Sequence, residues 1–241
     1  MTELLLFCTF LALLVMGVPI AFSIGAATAL AMVISIDAVP AVTTIAQRIA
    51  GGINSFALLA IPLFVFSGTV MSSGSIAQRL IIFARSLVGT IPGGLALVNV
   101  LSCTLFGAVS GSAVAATTAV GGAMIPTMEK DKYGREFAAA LTACSATTGL
   151  LIPPSNVLIV YAVASGGISI AALFVAGYLP GILLALCLMT VCTIYAKRHD
   201  ISGGEVIDRH QIRKALVDAT PSLLLIIIVI GGIIGGLFTA T

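Results

Sequence analysis

Thr147-Thr-Gly-Leu-Leu-Ile-Pro-Pro-Ser-Asn156 lies inside the apolar run 137–163 and decides how the chain is read. Proline removes a backbone donor and clashes with the preceding turn, so two in succession break a helix instead of merely kinking it. Two half-helices follow; the alternative is a proline kink relieved by Ser and Thr side chains. The first half-helix ends in free carbonyls and the second starts in free amides, with Ser155 or Asn156 placed to cap. About 30 residues earlier stands a second small, polar interruption, Gly107-Ala-Val-Ser-Gly-Ser-Ala-Val-Ala-Ala-Thr-Thr118. In hydrocarbon such backbone survives only where protein or a water-filled cavity satisfies it.

The surroundings are hydrocarbon by composition. Of the 241 residues 59% are hydrophobic and 8% charged, with mean hydropathy +1.21, against about 25% charged in soluble domains. Apolar runs recur at 4–33, 56–71, 95–125, 137–163, 168–195 and 223–238, several reaching the roughly 20 residues that span a bilayer as a helix. Strand-like alternation is absent, so the fold class is an all-α integral membrane protein. The amino terminus carries Glu3 and no basic region, and its apolar stretch outruns the 7–15 residues typical of a signal peptide. It reads as a retained segment, either one tilted helix over 4–33 or two short ones turning at Gly17-Val-Pro19. Cys8, Cys103, Cys144, Cys187 and Cys192 all fall in apolar segments without a CxxC or Cys/His pattern, which predicts small buried hydrophobes and no transition-metal site.

Charge sets orientation. If 56–71 crosses once, 95–125 enters and returns, and the next two runs each cross once, three connectors share a face. They carry Arg79, Arg85, Lys130, Lys132, Arg135, Lys197, Arg198, Arg209, Arg213 and Lys214, leaving Arg48 opposite. The positive-inside rule puts that face in the cytoplasm. For 95–125 the composition favours a dip: a first arm ending near Phe106, a tip at 107–116 and a second arm reaching only Pro126, each shorter than a span. A packed transmembrane hairpin, its small residues letting helices approach, is the alternative. Residues 75–87 place Ile76, Leu80, Phe83 and Leu87 on one side, as in an interfacial amphipathic helix, and 205–219 reads similarly.

No charged residue lies deep in any proposed span, so a proton relay has no residues here. There is no GxxxxGK[ST] loop and no HExxH, which removes ATP hydrolysis and metalloprotease chemistry. The serine-rich segments offer no base beside a nucleophile, so hydrolase chemistry is absent too, and the chain reads as no enzyme. Uncharged oxygens remain: Ser110, Ser112, Thr117, Thr118, Thr147, Thr148, Ser155, the Asn156 amide, and carbonyls near Gly111, Gly149 and Ile152. Oxygen ligands suit sodium, and half-helix amino termini suit a carboxylate.

Five ordered motifs carry a resemblance: Ile61-Pro-Leu-Phe-Val-Phe-Ser-Gly68, Gly107-Ala-Val-Ser-Gly-Ser-Ala-Val-Ala-Ala116, Tyr133-Gly-Arg-Glu-Phe-Ala-Ala-Ala140, Gly149-Leu-Leu-Ile-Pro-Pro-Ser155 and Gly177-Tyr-Leu-Pro-Gly181. With them the chain resembles the large membrane subunit (DctM-like) of tripartite ATP-independent periplasmic, or TRAP, transporters, within the ion transporter superfamily. The resemblance implies an elevator-type permease of two inverted repeats in a bacterial inner membrane, with a re-entrant hairpin and a discontinuous helix enclosing substrate and coupling sodium. It implies sodium-binding Ser110, Ser112 and the carbonyls of Gly149, Ile152 and Pro154. Substrate contacts are expected at Ser112, Ala113, Ser155 and Asn156. Expected partners are a small four-helix membrane subunit, a periplasmic substrate-binding protein, an organic acid (a dicarboxylate or sugar acid) and membrane lipid. Sodium ions are the only cofactor implied, and nothing points to nucleic acid.

The expected organisation is a first repeat over 1–219: scaffold helices to about 72, an arm helix at 74–90, the hairpin at 92–126, the broken helix at 137–165, a helix at 168–196 and a cytoplasmic connector at 197–219. Residues 220–241 would then open a second, truncated repeat. A receptor-independent sodium/dicarboxylate symporter of the same superfamily and a non-transporting structural membrane subunit are the alternative functions.

Overall fold

A computed structural model of the chain describes residues 2–54, 56–201, 203 and 209–237. Every element among them is helical, and the chain divides into two compact units at residues 55 and 56.

The first unit holds α1 (Thr2–Val15), α2 (Ile20–Ser35) and α3 (Ala38–Ile53). The open question over 4–33 resolves as two helices. Gly17 takes φ +80 in the turn, a left-handed conformation open to glycine without steric cost. Pro19 follows as the residue before α2, where its missing donor costs nothing. At 14 and 16 residues these helices are about 21 and 24 Å long, each short of the roughly 30 Å hydrocarbon core. Leu4, Phe7, Val15, Ile20 and Phe22 are exposed on them, while the stripe Ser23, Ala27 and Ala31 is buried. Small residues at i, i+4 and i+8 let helices approach closely, as they do within membranes.

The second unit begins with a short 3-10 turn, Phe56–Leu59, and continues as α4 (Ala60–Ser73), α5 (Ile76–Val88), α6 (Gly94–Ser110), α7 (Ala113–Lys130), α8 (Arg135–Leu151), α9 (Asn156–Ala164), α10 (Ile170–Arg198) and α11 (Arg209–Ile234). Helix α6 is its centre: 14 of its 17 residues are buried, among them Val98, Val100, Cys103 and Phe106 at 0% exposure. It packs against α5, α7, α8 and α10, which is why it is apolar all round and not amphipathic. Helix α10, and α11 from His210 to Ile233, are each long and apolar enough to cross a membrane, and α8 with α9 forms a candidate span bent by 55°.

Several expectations shift in detail. The hairpin arms are longer than predicted, at 17 and 18 residues or about 26 and 27 Å. Helix α6 runs on through Gly107, Ala108 and Val109 because glycine there is filled by a neighbouring helix and alanine favours helix. Helix α7 likewise passes through Pro126 to Lys130. On α5 the buried stripe is Ala77, Leu80 and Ala84, with Leu87 51% exposed; the alanines bring α5 against α6 where larger side chains would hold it off. Cys103 and Cys192 are buried as expected, but Cys8, Cys144 and Cys187 lie exposed on outer helix faces. Residues 209–219 are the start of α11, continuous with the apolar part to Ile234. The rest of that amphipathic stretch, 205–208, lies outside the described residues, as do 202 and 204 of the connector and 238–241 at the end.

The basic connectors gather at one end of the second unit. Tyr133, in the α7–α8 turn, stacks on Phe137 and on Tyr195 near the end of α10, with ring centroids 6.1 and 6.3 Å apart. A side-chain carbon added at Gly93, before α6, would meet Ala196 at 2.8 Å, and one added at Gly203 would collide with the Thr90 carbonyl. The α5–α6, α7–α8 and α10–α11 connections therefore share a face, as the charge count requires.

Candidate functional site

At the other end of α6 the hairpin turns in two residues. Gly111 takes φ +63 and closes α6, and Ser112 opens α7 with its hydroxyl accepting from the Ala115 amide at 3.3 Å. The chain breaks again at Ile152–Ser155, where Ser155 caps α9 by accepting from the Leu158 amide at 3.5 Å. Of the two residues placed to cap, Ser155 does so and Asn156 is the first helical residue. The two interruptions meet: the Asn156 amide donates to the Gly111 carbonyl at 3.5 Å. A side-chain carbon on Gly111 would come within 2.9 Å of the Pro154 carbonyl oxygen. Helix α4 closes a further side, since a carbon on Gly68 would lie 3.2 Å from the Ser110 carbonyl oxygen.

What holds these pieces in register is a seam between α6 and α8. Asn99 donates its amide to the Thr142 hydroxyl at 2.8 Å, and the Thr104 and Thr148 hydroxyls are 2.8 Å apart. Above them Gly107 packs on Gly149, where a side-chain carbon on Gly107 would sit 2.5 Å from the Gly149 Cα. The pairs run in the same order along both helices, so α6 and α8 are parallel. Sequence reading missed Asn99, Thr104 and Thr142, which are isolated polar residues in apolar runs. Their signal was present: a polar group buried in hydrocarbon needs a partner. Helix α10 supports the break from outside, with Gly177 making room for the Leu151 carbonyl and Gly181 for the Ile152 side chain. These glycines stand 21 and 17 residues from Arg198 in a helix of 29, so the break lies about two thirds of the way along α10 from its basic end.

The structure thus brings Ser110, Ser112, Pro154, Ser155 and Asn156 to one junction, with Ala113 on the first turn of α7 and Gly149 one turn before the break. Ser110 and Ser155 are fully buried, Ile152 is 8% exposed, and Ser112, Ala113 and Asn156 are half-buried. Among the described residues the Ser110 hydroxyl has only long partners, Ser112 O and N at 3.4 Å. The Asn156 side-chain oxygen is buried with no hydrogen-bond partner among the described residues. Pro153 and Pro154 carry no amide hydrogen, so the carbonyls of Gly149 and Leu150 lack their helical donors. The other candidate hydroxyls are engaged locally. Thr117, Thr118 and Thr147 donate to Ala113, Val114 and Cys144 carbonyls at 2.8, 2.9 and 2.7 Å, and Thr148 joins the seam. The junction offers neutral oxygen ligands beside two helix amino termini. Among the described residues no three His, Cys, Asp or Glu side chains come together.

Comparison with known proteins gives the family of the chain. The chain is 53% identical over 236 residues to the uncharacterized protein YgiK of Salmonella typhimurium, covering 98% of this chain and 54% of that one. It is 39% identical over 241 residues to the C4-dicarboxylate TRAP transporter large permease protein DctM of Vibrio cholerae (98% and 52%) and 41% identical over 231 residues to the sialic acid TRAP transporter large permease protein SiaM of the same organism (96% and 53%). The chain spans about half the length of these relatives. Residues 7–241 match the family model of the tripartite ATP-independent periplasmic transporter DctM component. The family is one of transporter components and not of enzymes, and this chain belongs to it: it is a DctM-family membrane protein of the TRAP transporters.

Proposed function

We propose that the protein containing this chain is the large permease of a sodium-coupled TRAP transporter that imports an organic acid delivered by a periplasmic substrate-binding protein. The observation that carries the reading is the junction itself, where the hairpin tip and the helix break are joined from the Asn156 amide to the Gly111 carbonyl. Sodium binds there through the hydroxyls of Ser110 and Ser112 and the carbonyls of Gly149, Ile152 and Pro154. Neutral oxygens without helical donors are the ligands a hard monovalent cation takes, and the bound charge then lies beside the substrate. The acid's carboxylate sits against Ser112, Ala113, Ser155 and Asn156, where the amino termini of α7 and α9 supply partial positive charge. Relatives named for C4-dicarboxylates and for sialic acid support a dicarboxylate or a sugar acid as the substrate.

The hairpin and broken helix move together as an elevator in the bacterial inner membrane. Glycine-to-glycine packing of α6 on α8 supports this, because helices in backbone contact travel as one body. A small four-helix membrane subunit completes the membrane part, and the basic connectors face the cytoplasm. The test is uptake of a panel of organic acids by the full-length protein with its receptor and small subunit, with and without a sodium gradient. Uptake that requires inward sodium and receptor is expected, and Ser110→Ala raises the sodium concentration for half-maximal uptake about tenfold. Uptake of every transported acid at full rate without sodium overturns the coupling, and full uptake without receptor overturns the receptor dependence.

A further inference from the structure

Helix α5 carries two stripes. One, Ala77, Leu80 and Ala84, is buried. The other, Gln78, Ile81, Ile82 and Arg85 at i, i+3, i+4 and i+7, overhangs a groove that α5 makes with the base of the α6–α7 hairpin. Leu95 of α6 and Ala123 of α7, with Ile81 and Ile82 of α5, form its accessible apolar surface over the buried Val98 and Met124, and the cavity volume is about 220 Å³. That is smaller than the roughly 300 Å³ at which pockets begin to enclose compact ligands, and it suits a narrow chain. Its polar rim is Gln78, Arg85 and Thr127, with no carboxylate among the described lining residues. Leu95 stands 16 residues from Gly111, about 24 Å along α6, so the groove is separate from the transport junction. It lies instead at the end where the basic connectors gather.

We propose that this groove binds an anionic phospholipid, one acyl chain lying on Ile81, Ile82, Leu95 and Ala123 and the phosphate held by Arg85. The charge arrangement selects this occupant. A cation without a carboxylate, at the mouth of an apolar trough and at the basic end of a membrane protein, matches an anionic head group in two bonds from one guanidinium. The apolar surface matches the chain beneath it. Anionic lipids are concentrated in the cytoplasmic leaflet, which is the leaflet the positive-inside rule assigns to this end. The lipid fills the space between α5 and the hairpin and ties the two together at the membrane surface.

The experiment uses the full-length protein in detergent, with native mass spectrometry to count bound phosphatidylglycerol against phosphatidylcholine. A photoactivatable phosphatidylglycerol maps the site on the wild type. The expected result is retained phosphatidylglycerol cross-linked to α5 and to the base of α6 or α7. Arg85→Gln lowers the preference for phosphatidylglycerol over phosphatidylcholine about fivefold, and Arg85→Lys keeps most of it. Ala123→Phe, which places a ring in the groove, removes the bound copy for both lipids. Cross-links confined to other helices, or no cross-link because the rest of the protein covers the groove, overturn the proposal. Unchanged phosphatidylglycerol binding in both Arg85→Gln and Ala123→Phe does so as well. None of these measurements depends on transport, so their outcome is independent of the sodium and receptor assignments.

Discussion

Pro180 lies within α10 and the pair Pro153-Pro154 lies between α8 and α9, which α10 touches, yet they act oppositely. Helix α10 carries Pro180 through 29 uninterrupted residues, while α8 stops at Leu151 and α9 restarts at Asn156 with a 55° bend. A single proline deprives one carbonyl, that of Ala176, and its helix absorbs the loss. The pair deprives Gly149 and Leu150 together, and no helical path continues. The broken chain instead takes partners from outside: the Gly111 carbonyl for the Asn156 amide, and the space at Gly177 and Gly181 for the Leu151 carbonyl and Ile152 side chain. A membrane helix thus bends or breaks according to how many carbonyls lose donors at once and whether neighbours are shaped to receive the ends.

The most severe disruption falls at the glycine contact. Gly149→Val places a branched side chain against the Gly107 backbone, and overpacking of this kind costs about 1–3 kcal/mol or more. The expected outcome is loss of folded full-length protein, read as monodisperse yield after detergent extraction. Wild-type yield would show that the two backbones are not in contact.

Next in size, Pro153→Ala with Pro154→Ala returns two amide donors and lets α8 run on. Folded protein is expected to remain, with sodium-driven uptake reduced at least about tenfold, the factor that 1.4 kcal/mol represents. Pro180→Ala should leave uptake within about twofold, and equal loss in both variants would erase the distinction between them.

Ser155→Ala sharpens the same contrast, since it removes the cap of α9 and nothing from α10. A cap is worth about 1 kcal/mol, so a fall of a few degrees in Tm is expected, with partial recovery in Ser155→Asp. The smallest effect belongs to the seam. A double-mutant cycle of Thr104→Val and Thr148→Val should give a coupling near 0.6 kcal/mol, the usual worth of an interhelical hydrogen bond in a membrane protein. A coupling indistinguishable from zero would remove the hydroxyl pair from the account of how α6 and α8 keep register.

Much of the junction was legible in residue types. Pro153-Pro154 announced a break by removing donors, Ser155 was one of two residues placed to cap it, and the small residues of 107–116 marked the hairpin tip. The hairpin arms were read as too short because Gly107 and the alanines around it looked like loop. In the fold Gly107 is helical, and its missing side chain is space for Gly149. Thr117, Thr118 and Thr147 were counted with the site oxygens, yet each donates to its own helix, a choice that depends on rotamer and packing and that residue type does not reveal.

Sequence by itself determined the helical membrane class, the gathering of basic connectors on one face and the positions of the two interruptions. Each rests on a local property: transfer of apolar side chains into hydrocarbon, charge bias, and the backbone chemistry of proline and glycine. Only the tertiary structure decided that Gly107 meets Gly149, that Asn99 meets Thr142, and that Gly111 is bonded to Asn156. The reason is physical. A helix that is apolar around its whole circumference carries no moment to mark which face is packed, so its partners emerge only when the helices are set side by side.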